Sequence, residues 1–175
     1  MKTYRDYLIE SMTFLASKRK TLFLGQSVSF SGNAIYNTLE HISDNKKIEL
    51  PVFEETQMGL SIGMALEGYV PISCFPRFDF LICATNQLVN HLDKTKHLTN
   101  REDIKVIIRT SIGSKNPLDG GPQHTQDHTE AFKNLLDYVN VIKLKNKKDI
   151  LRTYKKAYNQ KGSFLIIEYG DYYNK

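Results

Sequence analysis

The apolar positions along this chain fall into alternating helical and extended periods. Tyr4, Leu8, Met12 and Leu15 recur at helical spacing and predict an opening helix, with Lys18, Arg19 and Lys20 at the end where cations suit the helix dipole. The short apolar run 22–24, closed by Gly25, predicts a strand. Residues 27–47 are polar and weakly periodic, which predicts a loop with a helical turn around 35–42. Residues 50–53 read as a strand end and 55–66 as a helix in which Gly59, Gly63 and Ala65 leave almost no side chain on one side, so something is expected to pack close against that face. A strand at 70–75, an apolar helix at 80–92 and a buried strand at 106–109 follow. Residues 110–126 hold Gly113, Pro117, Gly120, Gly121 and Pro122, too many breakers for an element, and loops of that length in compact domains are mostly functional or disordered. The chain then predicts a helix at 127–136, a strand at 139–144, a helix with Ile150, Leu151, Tyr154, Ala157 and Tyr158 on one face, and a last strand at 164–168 after the helix stop at Gly162.

Strands alternating with helices predict an α/β fold, a mostly parallel sheet covered by helices on both faces. In such sheets ligands sit beyond the carboxyl ends of the strands, which here are 51–55, 75–80 and the glycine-rich loop ending at His124. At 175 residues the chain is too short for two ordinary domains, so residues 1–175 are expected to form one. The net charge of +5 is spread among 19 acidic residues and by itself selects no partner. Cys74 and Cys83 sit in apolar context without zinc or redox spacing, so both are expected to be buried and the setting reducing and cytoplasmic. No apolar run approaches the ~20 residues of a membrane span, and the acidic residues of the first helix argue against a signal peptide.

Several chemistries fall away because their motifs are missing: the dinucleotide Gly-x-Gly-x-x-Gly after a strand, the phosphate-binding Gly-Lys-Ser/Thr loop and the Gly-x-Ser-x-Gly elbow. His124 and His128 stand four apart, with Asp127 and Asp119 near, but the intervening residues lack the acid of the zinc-protease pattern, so no metal site is expected. The lysine-rich run 145–156 with Tyr154 and Tyr158 has the spacing of a solvated face over a buried one, and no nucleic-acid partner is expected. The strongest local signal is Pro51-Val52-Phe53-Glu54 leading directly into the glycine-spaced helix. A carboxylate there is in most proteins a cap or dipole partner, but glycines at these intervals also permit the close helix approach that a site shared between subunits needs.

Taken together these segments resemble the pyrimidine-binding domain of thiamine-diphosphate enzymes, most of all the beta subunit of the decarboxylating component of 2-oxo acid dehydrogenases in the transketolase-like superfamily. KKIELPVFEETQMGLSIGMALEGYVPI is similar to the family segment in which Pro-x-x-Glu precedes a glycine-spaced helix, and SCFPRFDFLICATNQLVNHLDK to its aromatic Phe-x-x-Phe segment. KVIIRTSIGS resembles its Val-Ile-Arg strand, and GGPQHTQDHTEAF its Gln-His-Ser-Gln loop and following helix. TYRDYLIESM and FLIIEYGDYYN match the two ends of the domain, so the resemblance runs over nearly the whole chain.

The resemblance implies a thiamine-diphosphate-binding fold and assigns roles residue by residue. Glu54 matches the glutamate that hydrogen-bonds the aminopyrimidine ring nitrogen and promotes the imino tautomer that activates the thiazolium carbon. Phe78 matches the aromatic that stacks on the pyrimidine and Phe75 a neighbouring wall residue, with plain core aromatics as the alternative. His124 matches a histidine that faces substrate and intermediates, and His128 lies one turn on. The Gly-Asp-Gly and downstream Asn that hold magnesium and diphosphate are absent, as is a C-terminal domain. The implied protein is therefore one half of a split enzyme, a hetero-oligomer with a diphosphate-binding subunit or a homodimer, with magnesium supplied through the partner chain. It would decarboxylate a 2-oxo acid or transfer a ketol unit; a small non-oxidative decarboxylase subunit and a non-catalytic module of the same fold are the alternatives.

Overall fold

The computed structural model describes residues 2–115 and 119–173, so Pro117 of the breaker-rich loop and the final Asn174 and Lys175 lie outside the described residues. Its sheet has six strands, β1 (Thr21–Gly25), β2 (Lys47–Glu49), β3 (Val70–Phe75), β4 (Ile107–Ile112), β5 (Asn140–Lys143) and β6 (Phe164–Tyr169), in the order β2-β1-β3-β4-β6-β5. Every pairing is parallel. Six α-helices accompany it: α1 (Tyr4–Ala16), α2 (Glu54–Leu66), α3 (Phe78–Leu81), α4 (Thr95–Thr99), α5 (Thr129–Leu135) and α6 (Ile150–Asn159).

Both faces of the central strands are apolar, and successive residues alternate between two cores. Phe164 and Ile166 join Ile107, Phe23, α1 and α6 on one face. Leu165 and Ile167 join Ile108, α2, α3 and Phe132 of α5 on the other. The helical spacing read for α1 is reproduced residue for residue, since Tyr4, Leu8, Met12 and Leu15 are all buried. Thr3 caps that helix through a reciprocal box with Asp6. The helix ends at Ala16, so Lys18, Arg19 and Lys20 follow its last turn instead of completing it.

Four expectations shift. β4 runs on through Ile112, so the breaker-rich loop opens at Gly113 and not at residue 110, because residues 110–112 still pair with β6. The strand beside β1 is 47–49, not 50–53, because Val52 and Phe53 point outward while Leu50 N–H is held by Gly25 O at 3.0 Å. The apolar stretch 80–92 is not one helix: α3 passes through a tight turn at Ile82–Ala84 into a wide π-helical segment at Gln87–Leu92. The winding follows the buried positions, which are spaced by three at Phe78, Leu81 and Ala84 and by four at Leu88 and Leu92. Cys83 is exposed, whereas Cys74 is buried and burial pushes its thiol up to about 12.

Asp93, just after the π-helical segment, ties this layer to the start of β5. Its buried carboxylate accepts the N–H groups of Tyr138 (2.8 Å), Val139 (2.9 Å) and Asp137 (3.2 Å), with Lys94 Nζ at 3.0 Å. Burial alone would raise its pKa, but these donors outweigh it and hold the group below its ordinary value. A folded-state pKa below the unfolded one stabilises above the unfolded value and is lost as pH falls through the folded one. Asp93→Asn is therefore expected to cost about 1–3 kcal/mol near neutral pH, with the gap to wild type closing below about pH 4 in denaturant melts across a pH series.

Candidate functional site

The carboxyl ends of β1 and β3 meet where the chain is tightest. A side chain at Gly25, which has φ +148°, would place its Cβ 2.2 Å from Cys74 O, so only glycine admits this approach. Gln57 of α2 reaches into the same point and donates to Cys74 O and Ser73 Oγ, both at 3.0 Å. The first turn of α2 is thereby fixed at the strand ends. Glu54 opens that turn, half-buried, where an anion offsets the helix dipole, and its carboxylate makes no hydrogen bond among the described residues. Glu55 beside it is engaged by Asn86 at 3.1 Å. Val52 and Phe53, more than 60% exposed, form an apolar lip in front of Glu54. Along α2 the glycine face is open: nothing lies within 4 Å of a side chain at Gly63, and only Gln87 approaches Gly59, at 3.8 Å. Ala65 belongs instead to the buried face.

The glycine-rich loop is anchored by one guanidinium. Arg77, which follows β3, donates through Nη1 to Gly113 O (2.6 Å) and to His124 O (2.8 Å), so it ties the start of the loop to its end. Asp171 Oδ1 accepts Lys115 N–H at 2.8 Å, and Gln126 reaches back to Asp79 at 2.8 Å. His124 Nδ1 lies 2.9 Å from Gly120 O. A carbonyl oxygen only accepts, so Nδ1 carries the proton and Nε2 keeps a lone pair for a bound group. The half-buried Phe80 packs edge-on against this imidazole, ring centres 5.5 Å apart.

Phe75 and Phe78, by contrast, are fully buried. Phe78 packs against Phe132 at 5.0 Å and edge-on to His128 at 5.6 Å, and the His128 Nε2 is buried without a partner. In this conformation the ring that borders open space is Phe80, two residues on. Among the described residues no group of three or more His, Cys, Asp or Glu stands close enough to hold a metal ion, and no helix is long and apolar enough to cross a membrane.

Beyond the ends of β1, β3, β4 and β6 opens a cleft of about 390 Å³ whose walls include Arg5, Ser27, Asn33, Arg77, Phe80 and Tyr173. Two guanidiniums line it and, among the described residues, no carboxylate does. Arg5 makes one long contact to Asn37 O at 3.3 Å, and its Nε is buried without a partner. Sequence reasoning missed both arginines because Arg77 stands at an unspecified position of the Phe-x-x-Phe segment and Arg5 was read only as part of the opening helix. Arg5 did carry a signal, a cation in the first turn of a helix where the dipole disfavours it. Glu54 and His124 stand apart from this lining: His124 borders it through Arg77 and Phe80, while Glu54 is on the α2 side.

Beneath the cleft lies an ion pair with no solvent exposure. Arg109 of β4 meets Glu168 of β6 through Nε–Oε1 at 2.5 Å and Nη2–Oε2 at 3.0 Å. Tyr154 and Tyr173 donate their hydroxyls to the same carboxylate. Burial opposes the guanidinium charge, but Glu168 opposite it keeps Arg109 protonated, and burial next to Glu168 pushes the Tyr154 phenol well up. Tyr173 belongs to both regions, since its ring walls the cleft.

No family model matches the chain. Over 124 residues it is 28% identical to the 3-methyl-2-oxobutanoate dehydrogenase subunit beta of Mycobacterium tuberculosis, taking in 67% of this chain and 34% of that protein. Over 136 residues it is 28% identical to the mitochondrial pyruvate dehydrogenase E1 component subunit beta of Saccharomyces cerevisiae, 74% of this chain and 36% of that one. The fold is that of a split gene transketolase solved as an inactive beta4 tetramer, with a TM-score of 0.74 and 16% identity over 96% of this chain and 51% of the other. The chain thus spans about a third of the length of the curated relatives it matches. Its resemblance to beta subunits of 2-oxo acid dehydrogenases holds over about two-thirds or more of its residues.

Proposed function

We propose that this chain is the pyrimidine-binding catalytic subunit of a split thiamine-diphosphate enzyme, acting on a 2-oxo acid or a ketol donor at a site completed by a diphosphate-binding partner chain. The observation that carries this is the unspent carboxylate of Glu54, held at the strand ends by the Gln57 anchor and fronted by the exposed Val52 and Phe53. Glu54 would hold the aminopyrimidine end of the cofactor, and the outward apolar lip and open Gly59–Gly63 face would receive the partner that buries it. Bound there, the cofactor would supply a nucleophilic carbon to add to the substrate carbonyl and a cationic ring to take up the electron pair released when the neighbouring carbon–carbon bond breaks. Among the described residues no cluster could hold a metal ion, so the metal, and with it the diphosphate it would bind, is assigned to the partner.

The other groups follow from their chemistry. Arg5 and Arg77 face a cleft without a carboxylate, a setting that fits the carboxylate of a 2-oxo acid. His124, with its proton fixed on Nδ1, offers Nε2 to accept a proton or to hold a developing charge once protonated. Phe75 and Phe78 serve as the packed floor of the segment that carries Phe80, and Phe78 reaches a bound ring only if its contacts with His128 and Phe132 loosen when the partner docks. Their full burial is also what favours the second reading, a non-catalytic module of the same fold. A small non-oxidative decarboxylase would use the same groups and is separated by product analysis.

The test is to purify the chain alone and together with a diphosphate-binding partner and to titrate each with thiamine diphosphate and magnesium by calorimetry. The complex is expected to bind at least about a hundredfold more tightly than the isolated chain, because the metal that carries the charged end of the cofactor finds no ligand cluster among the described residues. Tight binding by the isolated chain would overturn the divided site; failure of the complex to bind would leave the non-catalytic module.

A further inference from the structure

Charge on this molecule is segregated. Residues 143–161 contain eight cations and one anion, Asp149, and so carry +7 of a chain whose total is +5, leaving the remainder at −2. The buried side of α6 is spent in the core through Ile150, Tyr154 and Ala157, which turns Arg152, Lys155 and Lys156 outward on one stripe at spacings of three and four. Lys145, Lys147 and Lys148 precede the helix and extend the same face.

Elsewhere several exposed lysines meet carboxylates, as in Lys2–Glu10, Lys96–Glu102 and Lys133–Glu130, while Lys20 meets none among the described residues. Lys145, Lys147, Lys148, Lys155 and Lys156 have no carboxylate partner among the described residues; Asp149 is taken by Arg152 at 2.9 Å. Like charges one helical turn apart repel, so this arrangement costs stability in the free chain and is relieved by an external anion. A trough of about 510 Å³ runs between the end of β5 and α6, its polar lining including Lys143, Lys145, Asn146, Arg152 and Lys156 with the one carboxylate of Asp149, beside an edge strand whose one neighbour is β6.

We propose that this trough and the lysine stripe form a docking surface for an extended, carboxylate-rich segment of a partner protein. It lies apart from the cleft and from α2, and it stands whether or not the chain binds a cofactor. Lysines act as point charges without the planar fork that reads phosphate, and the one arginine is engaged. The surface also lacks stacking rings for bases: Tyr154 is fully buried, and the half-buried Tyr158 is capped by Lys18 and Lys105. No apolar side of α6 remains for a membrane, since that side packs on α1. An acidic peptide is what remains.

The experiment is fluorescence anisotropy of a labelled poly-glutamate of about twelve residues titrated with the whole chain. Binding is expected, and it should weaken at least about tenfold between about 25 and about 150 mM sodium chloride. The variant Lys145→Glu/Lys148→Glu/Lys156→Glu should lose at least about tenfold in affinity with a circular-dichroism melt no lower than that of wild type, because these side chains are solvated and their mutual repulsion is relieved. Lys2→Glu/Lys96→Glu/Lys133→Glu reverses as many charges elsewhere and should stay within about threefold of wild type. Three outcomes overturn the proposal: no binding to poly-glutamate, equal weakening by the two triple variants, or tighter binding to an oligothymidylate of equal length at the same salt, which would make the face a nucleic-acid surface.

Discussion

Replacing Glu168 with glutamine is expected to lower the free energy of unfolding by about 3–5 kcal/mol, the range for breaking one partner out of a buried ion pair. The side chain keeps its size, so no cavity forms. The loss comes from Arg109, which stays charged with its Nη1 already lacking a partner and now faces a neutral amide in a region without water exposure. Tyr154 and Tyr173 also lose the carboxylate that accepts both hydroxyls. Urea melts should show a lower midpoint with an unchanged slope. The double variant Arg109→Met/Glu168→Leu should recover part of the loss, because it removes both charges together while leaving the Tyr154 and Tyr173 hydroxyls without their acceptor. A single variant as stable as wild type would show that the pair contributes nothing net.

In a reconstituted complex, Glu54→Gln is expected to reduce turnover by about 10²–10⁴-fold, the span of a positioned proton-transfer group. The amide has the same shape and can still donate a hydrogen bond, but it cannot exchange a proton with a ring nitrogen, so the loss should fall on kcat with assembly intact. Glu54→Ala removes the contact as well and should also weaken cofactor binding. Turnover of the glutamine variant within about threefold of wild type would leave Glu54 as a helix-dipole partner and nothing more.

Where the sequence was most legible, one physical cause dominated. The α1 face and the bounds of β3 could be read because apolar spacing alone sets them. The position of β2 could not, because Leu50, Val52 and Phe53 look like a strand's apolar run while Val52 and Phe53 face outward. For Phe78 residue type says aromatic, but which neighbours close over its ring depends on His128 and Phe132, fifty or more residues downstream. The same distance problem hid Arg77 as the clamp of the glycine-rich loop, since its acceptors Gly113 and His124 come from another part of the chain. The Arg109–Glu168 pair went unread as well: a charge inside strands as apolar as 106–109 and 164–168 must be paired when buried, but the two strands that supply the partners are far apart in the chain.

The strand order places the three-residue β2 and the four-residue β5 on the outside and the longest strands within. Short outer strands offer few free amide and carbonyl groups, and Lys47 and Lys143 add charge to each. Copies of the protein therefore gain little by joining sheet to sheet, and growth into fibrils is discouraged at both margins even though the α2 face is open. The molecule can stay sticky on one broad side, where the proposed partner subunit would dock, without becoming the template for its own aggregation.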